Sequence, residues 1–221
     1  MPKKAVVLLS GGLDSTTLLY YALDRGFKAY CLIFDYGQRH KKEILKAKKI
    51  AQQTACAYHV AKISLPWQGS SLLDKSMRLP YHTSIDPKDI PSTYVPARNI
   101  IFLSFAASYA EVIGARGIFI GVNALDYSGY PDCRPEFITA YQQVLKKGLK
   151  TGVKGQWIKI YTPLIRKTKA QIIRMGLKRH VPYAMTWSCY QGERRPCGTC
   201  DSCLLRARGF EAVGQKDPGI K

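Results

Sequence analysis

Residues 5–26, AVVLLSGGLDSTTLLYYALDRG, determine the fold of this chain. The apolar run at 5–9 is typical of a strand that is buried on both faces of a sheet. Gly11 and Gly12 allow a tight turn, and a helical pattern follows that Gly26 ends. A strand, a glycine turn and a helix form the first unit of an α/β fold, so we expect the turn at the carboxyl end of a parallel strand.

The same alternation of strands and helices continues along the chain. Strands are predicted at 29–37, 57–65, 117–124 and 157–164, and helices at 40–55, 98–114, 135–148 and 168–176. Residues 66–97 contain five prolines and are predicted to form a loop or lid. The predicted fold class is therefore α/β, an open, mostly parallel, Rossmann-type sheet with helices on both faces. We expect one main domain at 1–182 and a cysteine-bearing segment at 183–221 packed on it.

The composition excludes several classes of protein. The chain has 221 residues, of which 46% are hydrophobic and 22% charged, so intrinsic disorder and a coiled coil are excluded. No apolar run approaches the roughly 18 residues of a membrane span. The run at 5–9 is also too short for a signal peptide. We expect a cytoplasmic protein, in which clustered cysteines bind metal or act in catalysis more often than they form disulfides.

The net charge of +19, from 34 Lys and Arg against 15 Asp and Glu, is unusually high. Such an excess favours a polyanionic partner such as RNA, or else a basic surface around an anionic substrate such as ATP. The basic residues are spread along the chain and form no arginine-rich tail. We predict small-molecule substrates and no nucleic-acid partner, and the sequence offers no reason for the charge.

Residues 10–15, SGGLDS, are predicted to bind phosphate. The free N–H groups at the start of the next helix and the helix dipole favour an anion, and nearby Ser and Thr side chains add hydroxyl donors. The loop lacks the pattern of a Walker loop and the third glycine of a dinucleotide-binding loop. It resembles instead the PP-loop of the N-type ATP pyrophosphatases, which holds the pyrophosphate of ATP. Asp14 would repel a triphosphate unless a cation lay between them, so we assign Asp14 to Mg²⁺.

Four cysteines lie within fifteen residues, at Cys189, Cys197, Cys200 and Cys203. Four thiolates suit a tetrahedral Zn²⁺ site with no open coordination position, which predicts a structural role. The last three cysteines also fit the C-x2-C-x2-C run of an iron–sulfur protein, but no fourth cysteine followed by proline lies downstream. Buried thiols or disulfides are the third alternative.

Aromatic and charged residues are concentrated in 121–137, GVNALDYSGYPDCRPEF, after the fourth predicted strand. Ligands of open α/β sheets bind beyond the carboxyl ends of the strands, where this segment is expected to lie. Its carboxylates can accept hydrogen bonds from a guanine-type base, its tyrosines can stack on the ring, and Arg134 can hold a carboxylate. The alternative is a polar surface loop with helix-start residues.

Six motifs of the chain resemble the 7-cyano-7-deazaguanine synthase family of PP-loop enzymes. They are SGGLDSTT, FDYGQRH, YVPARN, GVNALDYSGYPDCRPEF, TPL with TKAQI, and CGTCDSC, in that family's order and over nearly the whole chain. The resemblance implies an adenine nucleotide alpha hydrolase-like fold. It also implies a ligase of the queuosine pathway, which converts 7-carboxy-7-deazaguanine, ammonia and ATP to the nitrile through an amide. One structural Zn²⁺ per chain, a need for Mg²⁺ and a homodimer are implied as well. Position 171 holds Gln where Glu is expected.

On this resemblance we assign roles to individual residues. The predicted sets are the catalytic residues Asp14, Arg39, His40 and Lys169; the ATP-binding residues Leu9, Ser10, Gly11, Gly12, Leu13, Asp14, Ser15, Thr16, Thr17, Phe34 and Tyr36; and the substrate-binding residues Arg98, Asn99, Asp126, Tyr130, Asp132, Arg134 and Glu136. Arg39, His40 and Lys169 would neutralise phosphate or an adenylate, and His40 has an alternative role as the cap of the following helix. No Cys–His pair has the setting of a glutaminase, so free ammonia is the expected nitrogen source.

Two other functions stay open at this point. Another PP-loop enzyme that modifies tRNA would also use ATP and suits the basic charge, but it usually needs an added RNA-binding domain, for which 221 residues leave little room. A non-catalytic, zinc-containing RNA-binding protein would explain the charge and the cysteines, but the SGGLDS turn argues against it.

Overall fold

The computed structural model describes residues 2–67, 69–80, 90–125 and 129–219. Five strands lie within these ranges: β1 (Lys4–Leu8), β2 (Lys28–Asp35), β3 (Ala57–Lys62), β4 (Gly117–Phe119) and β5 (Lys159–Tyr161). The α-helices there are α1 (Leu13–Asp24), α2 (Lys42–Gln53), α3 (Arg98–Ile113), α4 (Pro135–Gly148), α5 (Lys150–Val153), α6 (Lys169–Leu177) and α7 (Asp201–Glu211).

The strands form one sheet in the order β3-β2-β1-β4-β5, and every neighbouring pair is parallel. β1 is central, and its Val7 pairs with Cys31 of β2 on one side and Phe119 of β4 on the other. The chain adds strands first to one side of β1 and then to the other. The gap between β1 and β4 is therefore the point where the topology reverses, at which open α/β sheets bind ligands.

Helices cover both faces of the sheet, as predicted. Successive side chains of a strand point to opposite faces, so the neighbours Val6 and Val7 enter two separate cores. Val6 packs in the core that includes Leu103 of α3, whereas Val7 packs in the core that includes Leu18 of α1 and Ile172 of α6. The open parallel α/β sheet predicted from the sequence is confirmed.

The carboxyl-terminal segment at 183–221 is held together by buried polar contacts within itself, and it contacts the main body where the Tyr183 hydroxyl lies 2.9 Å from Thr17 Oγ1. The side chains of Arg206 and Asp217 are 6% and 7% exposed and form an ion pair of 2.7 Å. Arg206 also donates to the Thr186 hydroxyl at 2.6 Å and to the Tyr183 carbonyl at 3.0 Å. Helix α7 in this segment was not predicted, because its arginines and cysteines gave no clear apolar period. The division at residue 182 stays a prediction.

The observed element boundaries differ from the predicted ones near the topological switch. β4 ends at Phe119, not at 124, because the chain leaves the ladder after Ile120, whose N–H donates to the Tyr161 carbonyl. α1 begins at Leu13, directly after the glycines. Of the predicted loop at 66–97, the described parts contain only turns and irregular backbone, and 68 and 81–89 lie outside the described residues. None of the helices described is long and apolar enough to cross a membrane.

Candidate functional site

A cavity of about 260 Å³ opens at the carboxyl ends of β1, β2 and β4. The amino-terminal residues of α1, α3 and α6 also contribute to it, so helix N-termini face the same space. Its lining includes most of the residues predicted from the sequence, namely Leu9, Ser10, Gly12, Leu13, Asp14, Ser15, Phe34, Tyr36, Arg39, His40, Arg98, Asn99, Tyr130 and Lys169.

The phosphate loop is held in place by glycine packing and by its own hydroxyls. Gly11 has φ +80°, and a Cβ there would lie 2.4 Å from the Glu43 carbonyl oxygen, so α2 can pack against the loop only because this residue is glycine. The Ser10 and Ser15 hydroxyls are hydrogen-bonded at 2.9 Å. Gly12 is the N-cap of α1 and supplies no side-chain partner, so the helix start is left open toward an anion.

Asp14 and Lys169 form the central ion pair of the cavity. The Lys169 Nζ lies 2.8 Å and 2.7 Å from the two carboxylate oxygens of Asp14. The lysine side chain is 11% exposed and the aspartate side chain 19%. Lys169 is the first residue of α6, where the helix dipole disfavours a cation, so Asp14 offsets that cost. The pair therefore holds the Lys169 ammonium group beside the phosphate loop.

Thr16, Thr17 and Gly11 do not contribute to the cavity lining. The Thr16 hydroxyl donates to the Gly12 carbonyl at 2.7 Å, and the Thr17 hydroxyl donates to the Leu13 carbonyl at 2.8 Å. Both hydroxyls are thus used inside the first turns of α1, and Gly11 faces α2. Thr17 Oγ1 also lies 2.9 Å from the Tyr183 hydroxyl, so it links α1 to the segment after α6.

Arg39 connects the cavity to the proline-rich segment. Its Nη2 donates to the carbonyls of Asp74, at 2.9 Å, and of Met77, and its backbone N–H donates to the Leu72 carbonyl at 3.1 Å. Its Nε is buried without a hydrogen-bond partner among the described residues. Arg39 therefore joins the cavity wall to residues 72–77, of which Leu72 also lines the cavity.

His40 joins the cavity to the cysteine segment, and it does not cap α2. The N-cap of α2 is Lys41, without a side-chain cap bond. His40 Nε2 lies 2.9 Å from the Cys189 carbonyl oxygen, and the His40 side chain packs so closely on Gly192 that a Cβ there would lie 2.4 Å from the ring atom Cγ. Burial lowers the pKa of His40, so the imidazole is neutral near pH 7.

Three residues predicted to bind the substrate do not line the cavity, namely Asp132, Arg134 and Glu136. Asp132 accepts a hydrogen bond from the Asn99 N–H at 3.0 Å, so it stabilises the start of α3. Arg134 is the N-cap residue of α4 and Glu136 is exposed in its first turn, and neither is among the residues that line the cavity. The residues of this region that do line the cavity are Tyr130 and Cys133. Asp126 lies outside the described residues.

Several lining residues were not predicted from the sequence. They are chiefly Gln38, Glu43, Phe102, Asn123, Trp187, Tyr190 and Arg206. Glu43 lies in a charged amphipathic helix, and the sequence pattern did not distinguish it from the solvent-exposed charged residues of that helix. Trp187 is adjacent to the cysteine segment, and its backbone N–H donates to the Gly11 carbonyl at 2.9 Å. This bond brings the carboxyl-terminal segment against the phosphate loop.

Cys189, Cys197, Cys200 and Cys203 form a cluster that can hold a metal ion, as predicted. Their sulfur atoms all lie within 4.8 Å of one another, and among the described residues this is the one such group found. The Cys197 N–H donates to the Cys189 sulfur and the Cys200 N–H to the Cys197 sulfur, both at 3.3 Å. Hydrogen bonds from the Cys200 and Cys203 thiols lower the pKa of Cys189, which favours the thiolate form that metals bind.

The parallel sheet and the phosphate loop at its switch point define the protein as an α/β protein of the PP-loop class. The structure of an NMN synthetase from Francisella tularensis is similar to this one, with a TM-score of 0.51 and 14% sequence identity. The match covers 97% of this chain and 78% of the synthetase chain. The U34-tRNA thiolase NcsA from Methanococcus maripaludis matches 96% of this chain with 73% of its own, at a TM-score of 0.50 and 13% identity. At these identities the likeness shows the fold alone.

The chain belongs to the family described as queuosine biosynthesis protein QueC, whose model matches residues 4–214. A 7-cyano-7-deazaguanine synthase from Thermoplasma volcanium is 51% identical over 99% of this chain and 90% of its own. A synthase of the same name from Kineococcus radiotolerans is 52% identical over 99% of this chain and 97% of its own. Each match covers 99% of this chain, so it spans the residues of both the phosphate loop and the cysteine cluster.

Proposed function

We propose that this protein is an ATP-dependent carbon–nitrogen ligase that converts 7-carboxy-7-deazaguanine and ammonia to 7-cyano-7-deazaguanine in queuosine biosynthesis. The observation that carries the proposal is its 51% identity, over nearly the full length of both chains, with a synthase of that name. The cavity supports it, because a phosphate loop, a lysine beside that loop and a set of aromatic and charged side chains meet there.

ATP is proposed to bind with its phosphates at the start of α1. The N–H groups of the first helical turn and the Ser10 and Ser15 hydroxyls would hold them, and Phe34 would lie beside the adenosine. Lys169 would move part of its contact from Asp14 to a phosphate oxygen. The Asp14 carboxylate would then be free to bind Mg²⁺, which carries positive charge to the phosphates when bound.

The first stage activates a carboxylate. An oxygen of the substrate carboxylate attacks the α-phosphorus of ATP, so an acyl-adenylate forms and pyrophosphate leaves. Lys169 and the N–H groups of α1 would stabilise the charge that develops on pyrophosphate. Ammonia then attacks the acyl carbon, AMP leaves, and the nitrogen releases a proton to give the amide.

The second stage dehydrates the amide. The amide oxygen attacks the α-phosphorus of a second ATP, and pyrophosphate leaves again. The oxygen then departs with AMP while the nitrogen releases its two protons, which leaves the nitrile. Because both stages displace pyrophosphate from ATP, one phosphate loop can serve both.

The four-cysteine cluster is proposed to bind one structural Zn²⁺. Four converging sulfurs with N–H donors to two of them fit a closed tetrahedral site. The cluster lies next to Trp187 and His40, which touch the phosphate loop and the cavity. Its role would be to hold this segment against the site.

We also propose a homodimer that forms through the exposed face of α3. That face consists of Ile100, Ser104, Phe105, Ser108 and Val112, and it carries no charge. Because the chain has a net charge of +19, two copies would repel each other least where neither is charged. Val112→Glu is expected to give a monomer in sedimentation, whereas Val153→Glu on α5 is expected to leave the dimer intact.

We expect the enzyme to act in the cytoplasm, where ATP and reduced thiols are supplied.

Exchange of labelled pyrophosphate into ATP tests the adenylation step. In the absence of ammonia, exchange is expected only when 7-carboxy-7-deazaguanine is present, and Lys169→Met is expected to abolish it. Exchange that does not require the base would contradict the proposed substrate.

A further inference from the structure

Glu43 is a cavity residue that the proposed phosphate chemistry does not use. It is the second residue of α2 and lines the cavity together with Arg98. Its backbone is fixed beside the phosphate loop, because its carbonyl oxygen packs directly against Gly11. The backbone from which its carboxylate extends is therefore held beside the phosphate loop.

The Glu43 carboxylate has no protein partner in the described part of the chain. No described residue donates a hydrogen bond to it or forms an ion pair with it. Burial raises its pKa to about 7, against the opposing effect of the Arg98 charge. Glu43 is half-buried on the cavity wall, so a ligand that fills the cavity would displace water from its carboxylate and would have to supply hydrogen-bond donors in place of that water.

Charged and aromatic side chains share the cavity wall with this carboxylate. The positive charge of Arg98 lowers the pKa of Glu43 against the effect of burial, and the same charge lowers the pKa of Tyr36. Arginine has five N–H donors, which a ligand in the cavity could accept. Tyr36 and Tyr130 both lie close enough to Arg98 for its charge to act on their pKa, and both line the cavity. A charged acceptor, a charged donor and two aromatic rings thus line the same cavity.

We infer that Glu43 accepts the ring N–H and the amino group of a guanine-type base, while Arg98 donates to the neighbouring carbonyl oxygen. The guanine edge presents two donors followed by one acceptor, which is the complement of a carboxylate next to a guanidinium. This inference rests on the proposed function, since it assigns the base-recognising acid of that reaction. It replaces the acidic residues of 132–136, which do not line the cavity.

The Glu43 carboxylate would also distinguish the substrate base from the adenine of ATP. The edge of adenine presents a ring-nitrogen acceptor where guanine presents a donor, and this acceptor would face the Glu43 carboxylate unfavourably. Glu43 would therefore exclude the adenine of ATP from the substrate half of the cavity. The residue is thus a specificity determinant in addition to a binding contact.

A base that lacks the amino group tests the inference. Binding of 7-carboxy-7-deazaguanine and of 7-carboxy-7-deazahypoxanthine is measured by calorimetry on the zinc-loaded protein with α,β-methylene-ATP present. The native protein is expected to prefer the amino-bearing base by about tenfold or more, the effect of one hydrogen bond to a charged group. Glu43→Gln is expected to reduce this preference to less than about threefold without changing affinity for the nucleotide.

Two further variants complete the design. Glu43→Asp keeps the charge and is expected to restore part of the preference, and Glu211→Gln, an exposed change on α7, is expected to behave as the native protein. An undiminished preference in folded Glu43→Gln would overturn the inference, as would a fall in turnover alone, which would point to a proton-transfer role. Failure of the native protein to bind either base, with nucleotide binding intact, would instead contradict the proposed function and the inference with it.

Discussion

The residues of the phosphate loop are constrained by contacts that only the folded chain reveals. Gly11 has a left-handed backbone and no room for a Cβ, whereas Gly26 has a similar backbone and nothing within 4 Å. The sequence identified both glycines as turn residues, but it could not distinguish a crowded position from an open one. The difference arises because α2 packs on the loop.

Gly11→Ala is expected to destabilise the protein more than Gly26→Ala. Both changes place a side chain at positive φ, which costs on the order of 1 kcal/mol, and Gly11→Ala adds a clash with α2. Thermal unfolding of the two variants measures the difference. Equal losses of stability would show that α2 moves away from the loop without cost.

Asp14 neutralises a lysine at a helix N-terminus, so its loss has two consequences. Asp14→Asn is expected to lower kcat/KM by at least about a hundredfold, and to lower the free energy of unfolding by about 1–3 kcal/mol because Lys169 is left without its carboxylate. Steady-state kinetics and urea unfolding check these values. The double change Asp14→Asn with Lys169→Met should regain stability but not activity; regained activity would contradict the role of the pair.

The pKa of Glu43, raised by burial from 4.5 to about 7, makes base binding depend on pH. The raised pKa means that the unfolded chain gives up this proton first, so stability falls as pH rises from about 4.5 through 7. Only the ionised form accepts two N–H donors, so affinity for the base should be about tenfold higher at pH 8 than at pH 6. Glu43→Gln should remove this pH dependence of the calorimetric affinity, and an unchanged dependence would assign it to another group.

The elements of the fold differ in how far sequence could predict them. β1, the glycine turn and α1 were predictable because their signals are local: a buried apolar run, a turn and a helix stop. The cysteine cluster was predictable for the same reason. The capping of α3 by Asp132 and the place of Glu43 in the cavity were not, because both depend on contacts between segments far apart in the chain.

Removal of metal is expected to detach the carboxyl-terminal segment from the phosphate loop. A strong chelator, or Cys200→Ser, should lower the melting temperature, shift Trp187 fluorescence to the red and abolish turnover, because Trp187 is buried between the cluster and Gly11. Cys56→Ser, outside the cluster, is the matched control. Full activity in a protein shown to be free of metal would contradict the proposed structural role.

At the scale of the whole molecule, part of the basic charge lies away from the site. Lys4, Lys28 and Lys159 begin three strands of the sheet, and Arg116 precedes a fourth, so they form a row along its amino edge. The cavity opens at the opposite, carboxyl edge. The row therefore accounts for part of the +19 charge without serving the cavity.

Reversing charges in this row should leave catalysis unchanged. Lys28→Glu with Lys159→Glu is expected to alter kcat/KM for the base by less than about twofold, because screening limits charge effects to about 10 Å at 0.1 M salt. The same variant should elute earlier from a heparin column. A large loss of turnover would show that the amino edge of the sheet takes part in the reaction. It would also favour a nucleic-acid substrate.

Identification of the product by mass spectrometry tests the central claim most directly. The zinc-loaded protein is incubated with 7-carboxy-7-deazaguanine, ammonium, Mg²⁺ and ATP. The account predicts the nitrile 7-cyano-7-deazaguanine, with the amide appearing first and AMP and pyrophosphate accumulating with it. If a folded protein that binds ATP forms neither the amide nor the nitrile, the proposed reaction is contradicted. Only the assignment of the phosphate loop would then be retained.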